Sequence, residues 1–143
     1  MSSDRPKVGI GLLLIKDGKY ILLGKRKSSH GDGEYAGVGG HMEHLETVNE
    51  TIMRELQEEI GDDIRISTPQ FLCLSNIRDY APKHYIDVGL VAEWISGEPK
   101  VMEPDKIESW DWYPLDAIPE PLFASCKHYL AAYRTGTVFF ENS

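Results

Sequence analysis

The feature that most constrains this chain is a single helix whose two faces follow different rules. Between Thr47 and Ile60, the residues Val48, Ile52, Leu56 and Ile60 recur every four positions, joined by Met53. That apolar stripe predicts an amphipathic helix. Thr47 and Glu50 have capping-box spacing, and Gly61 stands where a left-handed residue ends a helix. The other face carries Glu55, Glu58 and Glu59, related by i+3 and i+4, so three carboxylates crowd one arc of surface. Like charges at that spacing repel, and two of them occupy the last turn, where the helix dipole favours cations. Taken alone, such a triplet reads as a solvated acidic face. Two local rules broken together in a well-capped helix point elsewhere. Divalent cations would remove both penalties, and hard carboxylate oxygens suit Mg²⁺ or Mn²⁺.

The flanking sequence supplies strands. Val8 to Lys16 is nearly continuous in apolar character, as in a strand buried on both faces. Asp17-Gly18 is a hairpin signal, and Lys19 to Lys25 returns as a second strand. Residues 26 to 40, rich in Gly, Ser and Asp, predict a loop. Beyond the helix, strands are expected near Ile64 to Ile66, Phe71 to Ile77, His84 to Ile95 and Trp110 to Tyr113, with a closing helix from Leu122 to Tyr133. In the longest of these strands Ile86, Val88, Leu90, Ala92 and Trp94 alternate with Asp87, Gly89 and Glu93, which gives it two distinct faces. Strands on both sides of one long helix predict an α/β sandwich: a mixed β-sheet with helices on its faces, in one domain over residues 1–143.

Charge and composition narrow the function classes. A formal net charge of −8 argues against a nucleic-acid polymer as partner, because such binding needs a basic footprint. Small anionic substrates stay open, provided bound cations reverse the field locally. Met1 to Arg5 lacks the order of a signal peptide, and the apolar run Val8 to Ile15 is too short for a bilayer. The expectation is a cytoplasmic protein with no membrane partner. Cys73 and Cys126 match no metal-ligand spacing and read as reduced core thiols.

From Gly40 the chain runs five residues to Glu46, then seven more to Arg54-Glu55-Leu56-Gln57-Glu58-Glu59-Ile60-Gly61. This segment resembles the Nudix box, and every specified position through Gly61 matches. Two departures stand beside the match: Asp62 replaces the usual aliphatic residue after the last glycine, and Val38 replaces the proline that often precedes the Gly-Gly pair. Leu22 to Lys27, Gly39 to Glu43, Val101 to Lys106 and Glu108 to Trp112 extend the likeness toward the MutT-type branch, especially a eukaryotic homologue that is a nucleoside triphosphate diphosphatase.

The resemblance implies a Nudix-type α/β/α sandwich and Mg²⁺-dependent cleavage of a diphosphate linkage in a small nucleotide, giving a nucleoside monophosphate and pyrophosphate. It implies Glu55, Glu58 and Glu59 as metal ligands aided by the Gly40 carbonyl, with Arg54 orienting a glutamate of the helix and Glu58 or Glu59 as general base. Glu103 and Glu108, from an acidic loop outside the box, are further candidate ligands, weighed against solvated surface. Lys25 and Arg26 are candidates to grip phosphates; strand alternation sends them to opposite faces, so only one is expected to do so. His41, inside the box, is a candidate phosphate donor, whereas His30 reads as a loop histidine. Tyr35 and Phe123 are candidates to stack on a base, against packing roles near the core. Trp110 and Trp112 read as structural. Dinucleoside polyphosphates and nucleoside-diphosphate sugars remain alternative substrates, with Tyr80, eighteen positions past the box, as a weak pointer to the former. A nucleotide-binding module that no longer cleaves is the alternative from another class. The family often dimerises, so a homodimer stays open.

Overall fold

The computed structural model describes residues 4–28 and 30–141. In chain order its elements are β1 (Lys7–Lys16), β2 (Tyr20–Arg26), β3 (Tyr35–Ala36), β4 (Val38–His41), α1 (Val48–Ile60), β5 (Arg65–Ile66), β6 (Gln70–Ile77), β7 (Tyr85–Ser96), β8 (Ile107–Pro114), α2 (Ala124–Thr135) and β9 (Phe139–Phe140). The sheet runs β3-β2-β1-β7-β6-β9, with β4 also on β1, β8 on β2 and β5 on β7. β1 and β7 are parallel and the other strand pairs around them antiparallel, apart from β6 with β9, so the sheet is mixed as expected.

The apolar run of β1 serves two cores by alternation. Ile10, Leu12 and Leu14 join Leu22, Leu90 and Ala92 under Ile52, Leu56 and Ile60 of α1. Leu13 and Ile15 join Ile21, Leu23 and Cys73 beneath Cys126, Tyr129, Leu130 and Ala132 of α2. Each helix therefore covers one face, which completes an α/β/α sandwich. Ile52 and Ile60 are fully buried, and burial of each such side chain stabilises by about 1.5–3 kcal/mol. Cys73 and Cys126 are both free and buried. Among the described residues no helix is long and apolar enough to cross a membrane.

Local chemistry sets the boundaries. Thr47 accepts from the Glu50 amide at 3.0 Å and the Glu50 side chain accepts from the Thr47 amide at 2.8 Å, a complete capping box worth ~1 kcal/mol. Gly61 ends α1 with φ 91° and ψ −179°, a conformation open to glycine but outside the left-handed helical region that its position suggested. In the first turn of the chain, Asp17 and Gly18 have φ of 54° and 65°, and the Lys19 amide closes on the Lys16 carbonyl at 3.0 Å.

The stretch expected as loop between 26 and 40 contains β3 and β4. Its glycines mimic a loop in sequence, yet they permit close backbone contact: a Cβ on Gly37 or Gly39 would lie 2.6 or 2.7 Å from a carbonyl oxygen of β1. Similarly, β8 begins at Ile107, three residues before the expected strand.

Candidate active site

The carboxylates of α1 open onto a cavity of about 720 Å³. Its floor is the end of the sheet where β4, β1 and β7 lie side by side, with His41, Gly9 and Asp87 in register. One wall carries Glu55, Glu58 and Glu59; the wall opposite carries Arg26, His30, Tyr80, Tyr85 and Phe123. Six carboxylates line the cavity against three cationic side chains, Arg26, Arg54 and Lys106.

Arg54 organises the acidic wall. Its Nε donates to Glu46 at 2.7 Å, and its terminal nitrogens reach Glu55 at 2.7 Å, the His41 carbonyl at 3.0 Å and Glu58 at 3.4 Å. These bonds hold the Glu46 carboxyl down to about 2. Glu55 lies so close to the backbone of β4 that a Cβ on Gly40 would fall 2.3 Å from its carboxyl carbon, which is why glycine stands there. Glu59 is nearly enclosed, its two oxygens each 3.4 Å from the Gly39 amide. Burial, and then the charge of Glu55, pushes the Glu59 carboxyl well above the ordinary range. Burial raises Glu55 as well, with Glu58 and Glu103 adding repulsion.

Glu103 reaches this group because its loop is tied to the end of α1. The Lys100 amide donates to the Ile60 carbonyl at 2.9 Å and the Met102 amide to the Glu59 carbonyl at 3.4 Å. Carbonyls that a helix end leaves unpaired thus anchor the acidic loop. Lys106 pairs with Glu103 at 3.4 Å.

Among the described residues no three His, Cys, Asp or Glu side chains stand ready-gathered as a ligand set. Glu55 is turned to Arg54 and Glu59 to Gly39. The donors nonetheless fit a hard divalent ion, because Glu55, Glu58, Glu59 and Glu103 share one repulsive field that Arg54 only partly offsets.

On the other wall, Arg26 lies over the Phe123 ring at 4.1 Å and donates to Ser28 at 3.0 Å. Its Nε is buried and has no partner among the described residues. Tyr80 stacks on Phe123 at 4.7 Å, donates to Glu34 at 2.8 Å and accepts from the Ala124 amide at 2.8 Å. His30 lies against Lys83 at 2.9 Å; burial and the neighbouring cations bring its pKa down to about 4, so it is neutral. His41, exposed, tilts against Tyr85 at 5.4 Å.

The structure therefore brings together Gly40, Arg54, Glu55, Glu58, Glu59, Glu103, Arg26, His41 and Phe123. Three expected residues lie outside the cavity. Lys25 points to the other side of β2 and pairs with Glu108 at 3.8 Å, which occupies both side chains at an exposed site. Tyr35 packs edge-on against Tyr113 at 5.7 Å in the core under α2. His30, read as a plain loop residue, lines the cavity instead. Tyr85 and Asp87 were not singled out, although the alternation in β7 put Asp87 on the face opposite the aliphatics.

Comparisons with known proteins give the family and the fold. The NUDIX domain model matches residues 5–133. The MutT NUDIX hydrolase of Burkholderia pseudomallei superposes with a TM-score of 0.82 at 36% identity, over 90% of this chain and 98% of that one. An ADP-ribose pyrophosphatase of Methanocaldococcus jannaschii is 33% identical over 82% of this chain and 68% of its own. An NAD-capped RNA hydrolase, NudC, of Pseudomonas aeruginosa is 31% identical over 85% of this chain. The chain spans about two fifths of the length of that relative, 42%. With the box matched from Gly40 through Gly61, the fold shared and the family model covering nearly the whole length, this chain belongs to the NUDIX domain family.

Proposed function

We propose that the chain is a Mg²⁺-dependent hydrolase that cuts the diphosphate linkage of a nucleoside triphosphate, releasing a nucleoside monophosphate and pyrophosphate. The observation that carries this reading is the divided cavity: mutually repelling carboxylates on one wall, and a half-buried guanidinium among aromatic rings on the other. Glu55, Glu58, Glu59 and Glu103, with the Gly40 carbonyl, would hold the ion; when bound it neutralises phosphate charge and lowers the pKa of a coordinated water. Arg54 fixes the direction of Glu55 and Glu46 and touches no substrate atom in this scheme. Glu58 or Glu59 takes the proton of the attacking water on a carboxylate oxygen. Arg26 grips a phosphate through a charge-assisted bond from its guanidinium. Tyr85 and His41 offer faces for the nucleoside, and Phe123, held between Arg26 and Tyr80, sets the position of both.

A second reading keeps the chemistry and changes the substrate to ADP-ribose or an NAD-capped RNA end, the compounds in the names of the Methanocaldococcus and Pseudomonas relatives. Tyr80 favours it, because its ring extends the aromatic wall beyond Phe123. A panel of nucleoside triphosphates, ADP-ribose, diphosphate sugars and dinucleoside polyphosphates with Mg²⁺, products resolved by chromatography, decides. The expected result is monophosphate and pyrophosphate in equal amounts from a triphosphate. Tight binding with no product from any of them over hours would replace both readings with a non-cleaving module.

A further inference from the structure

The carboxylate set accounts for the acidic wall, but one acid on the cavity floor is left over. Asp87, on β7, is 8% exposed and lies across β1 from His41. Tyr129, reaching up from α2, donates its hydroxyl to Oδ2. No described residue donates to Oδ1, which lies against Gly9, where a Cβ would be only 2.9 Å away.

The surrounding chain is shaped for this pair. A Cβ on Gly11 would sit 2.1 Å from the Tyr129 hydroxyl, and one on Gly89 2.6 Å from its ring. Three strand glycines thus keep the slot open, each at a cost in sheet stability. An apolar pair of similar volume would close this core at lower cost, since a buried acid without a counter-ion is penalised. The floor therefore carries a polar group that packing does not require. Gly9 and Gly11 line the cavity beside it, as do the rings of Tyr85, His41 and Phe123.

We infer that Asp87 reads the edge of the bound nucleobase, accepting a ring or amino N–H on Oδ1 while Tyr129 holds Oδ2. This rests on the nucleotide reading of the same cavity. The N–H supplies the donor that the protein withholds, and a base whose edge presents an acceptor there meets an unpaired carboxylate oxygen. Asp87 is thereby a specificity-determining residue, remote from the reacting phosphates. Burial lifts its carboxyl to about 7, consistent with a group that no protein cation compensates.

The test is equilibrium binding by calorimetry of AMP, GMP, CMP and UMP, with ribose 5-phosphate as the ligand that lacks a base. Wild type should discriminate among the four bases. Asp87→Asn keeps an acceptor for Tyr129 and presents an amide donor in place of Oδ1. It should change the affinity ratio between at least one pair of bases by about tenfold or more, and the affinity for ribose 5-phosphate by less than about twofold. Tyr129→Phe, which frees Oδ2, should shift the same ratio by a smaller factor, about threefold or more; if Asp87→Asn does not fold, this variant decides, a ratio unchanged within about twofold overturning the inference. A uniform change across all five ligands, no change in any ratio, or no base preference and no nucleotide binding in wild type would overturn the inference. If the ratio shifts while no triphosphate or diphosphate compound is cleaved, Asp87 keeps its role and the hydrolytic reading falls.

Discussion

On the acidic wall of the cavity, three of the four clustered carboxylates come from two turns of α1, and the fourth from a loop bonded to the end of that helix. On the aromatic wall, Arg26, His30, Tyr80, Tyr85 and Phe123 come from separate segments that only the folded sheet brings together. The acidic wall is local, rigid and mutually repelling; the other is assembled at long range and is largely neutral. On this contrast rests the proposal of chemistry for the first and recognition for the second. Fixed geometry and concentrated charge suit a metal-assisted step, while rings and a lone cation suit holding a nucleoside and its phosphates.

Substitutions should separate the two walls by the kinetic parameter they move. The largest effect is expected on the acidic wall: Glu58→Gln or Glu59→Gln should lower Mg²⁺-dependent kcat by roughly two orders of magnitude or more, with circular dichroism unchanged. Near-full activity in both variants would dissolve the distinction. On the aromatic wall, Phe123→Ala should raise KM about tenfold and leave kcat within about threefold, because it removes the ring that positions Arg26 and Tyr80 and no reacting group. A collapse of kcat in that variant would move Phe123 to the chemical side. The smallest effect concerns how the acidic wall is held. Arg54 lowers Glu46 to about 2, so the pair stabilises the fold above the ordinary carboxylate pKa and loses that contribution as pH falls through about 2. Arg54→Gln should therefore melt below wild type at neutral pH, with the difference shrinking toward pH 2. A difference independent of pH would show that Arg54 acts through packing rather than charge.

The same contrast explains what could be read from the residue order. Glu55, Glu58 and Glu59 were visible because helical spacing places them together without any tertiary information, and the capping box of Thr47 and Glu50 bounded the helix. The alternation in β7 foretold two faces, and the two hydrophobic clusters occupy them. The strands β3 and β4 were hidden because glycines chosen for close backbone contact look like loop glycines when the neighbouring strand is unknown. Lys25 and Arg26 were correctly separated by alternation, but which of them faced the cavity depended on the partner strand: β8 puts Glu108 beside Lys25. Tyr35 looked available as an isolated aromatic; its partner, Tyr113, is far along the chain. His30 and Tyr85 gain their place from long-range packing alone, for which no local period exists.

The central claim, that the α1 carboxylates gather to hold a divalent ion, is tested most directly by Mn²⁺ binding. Electron paramagnetic resonance titrations of wild type and a Glu55→Gln/Glu59→Gln variant, each with and without nucleotide, give the comparison. The account predicts saturable binding in wild type that tightens with nucleotide and weakens by at least about tenfold in the variant. Equal binding in the two proteins, or none in wild type even with nucleotide present, would contradict it.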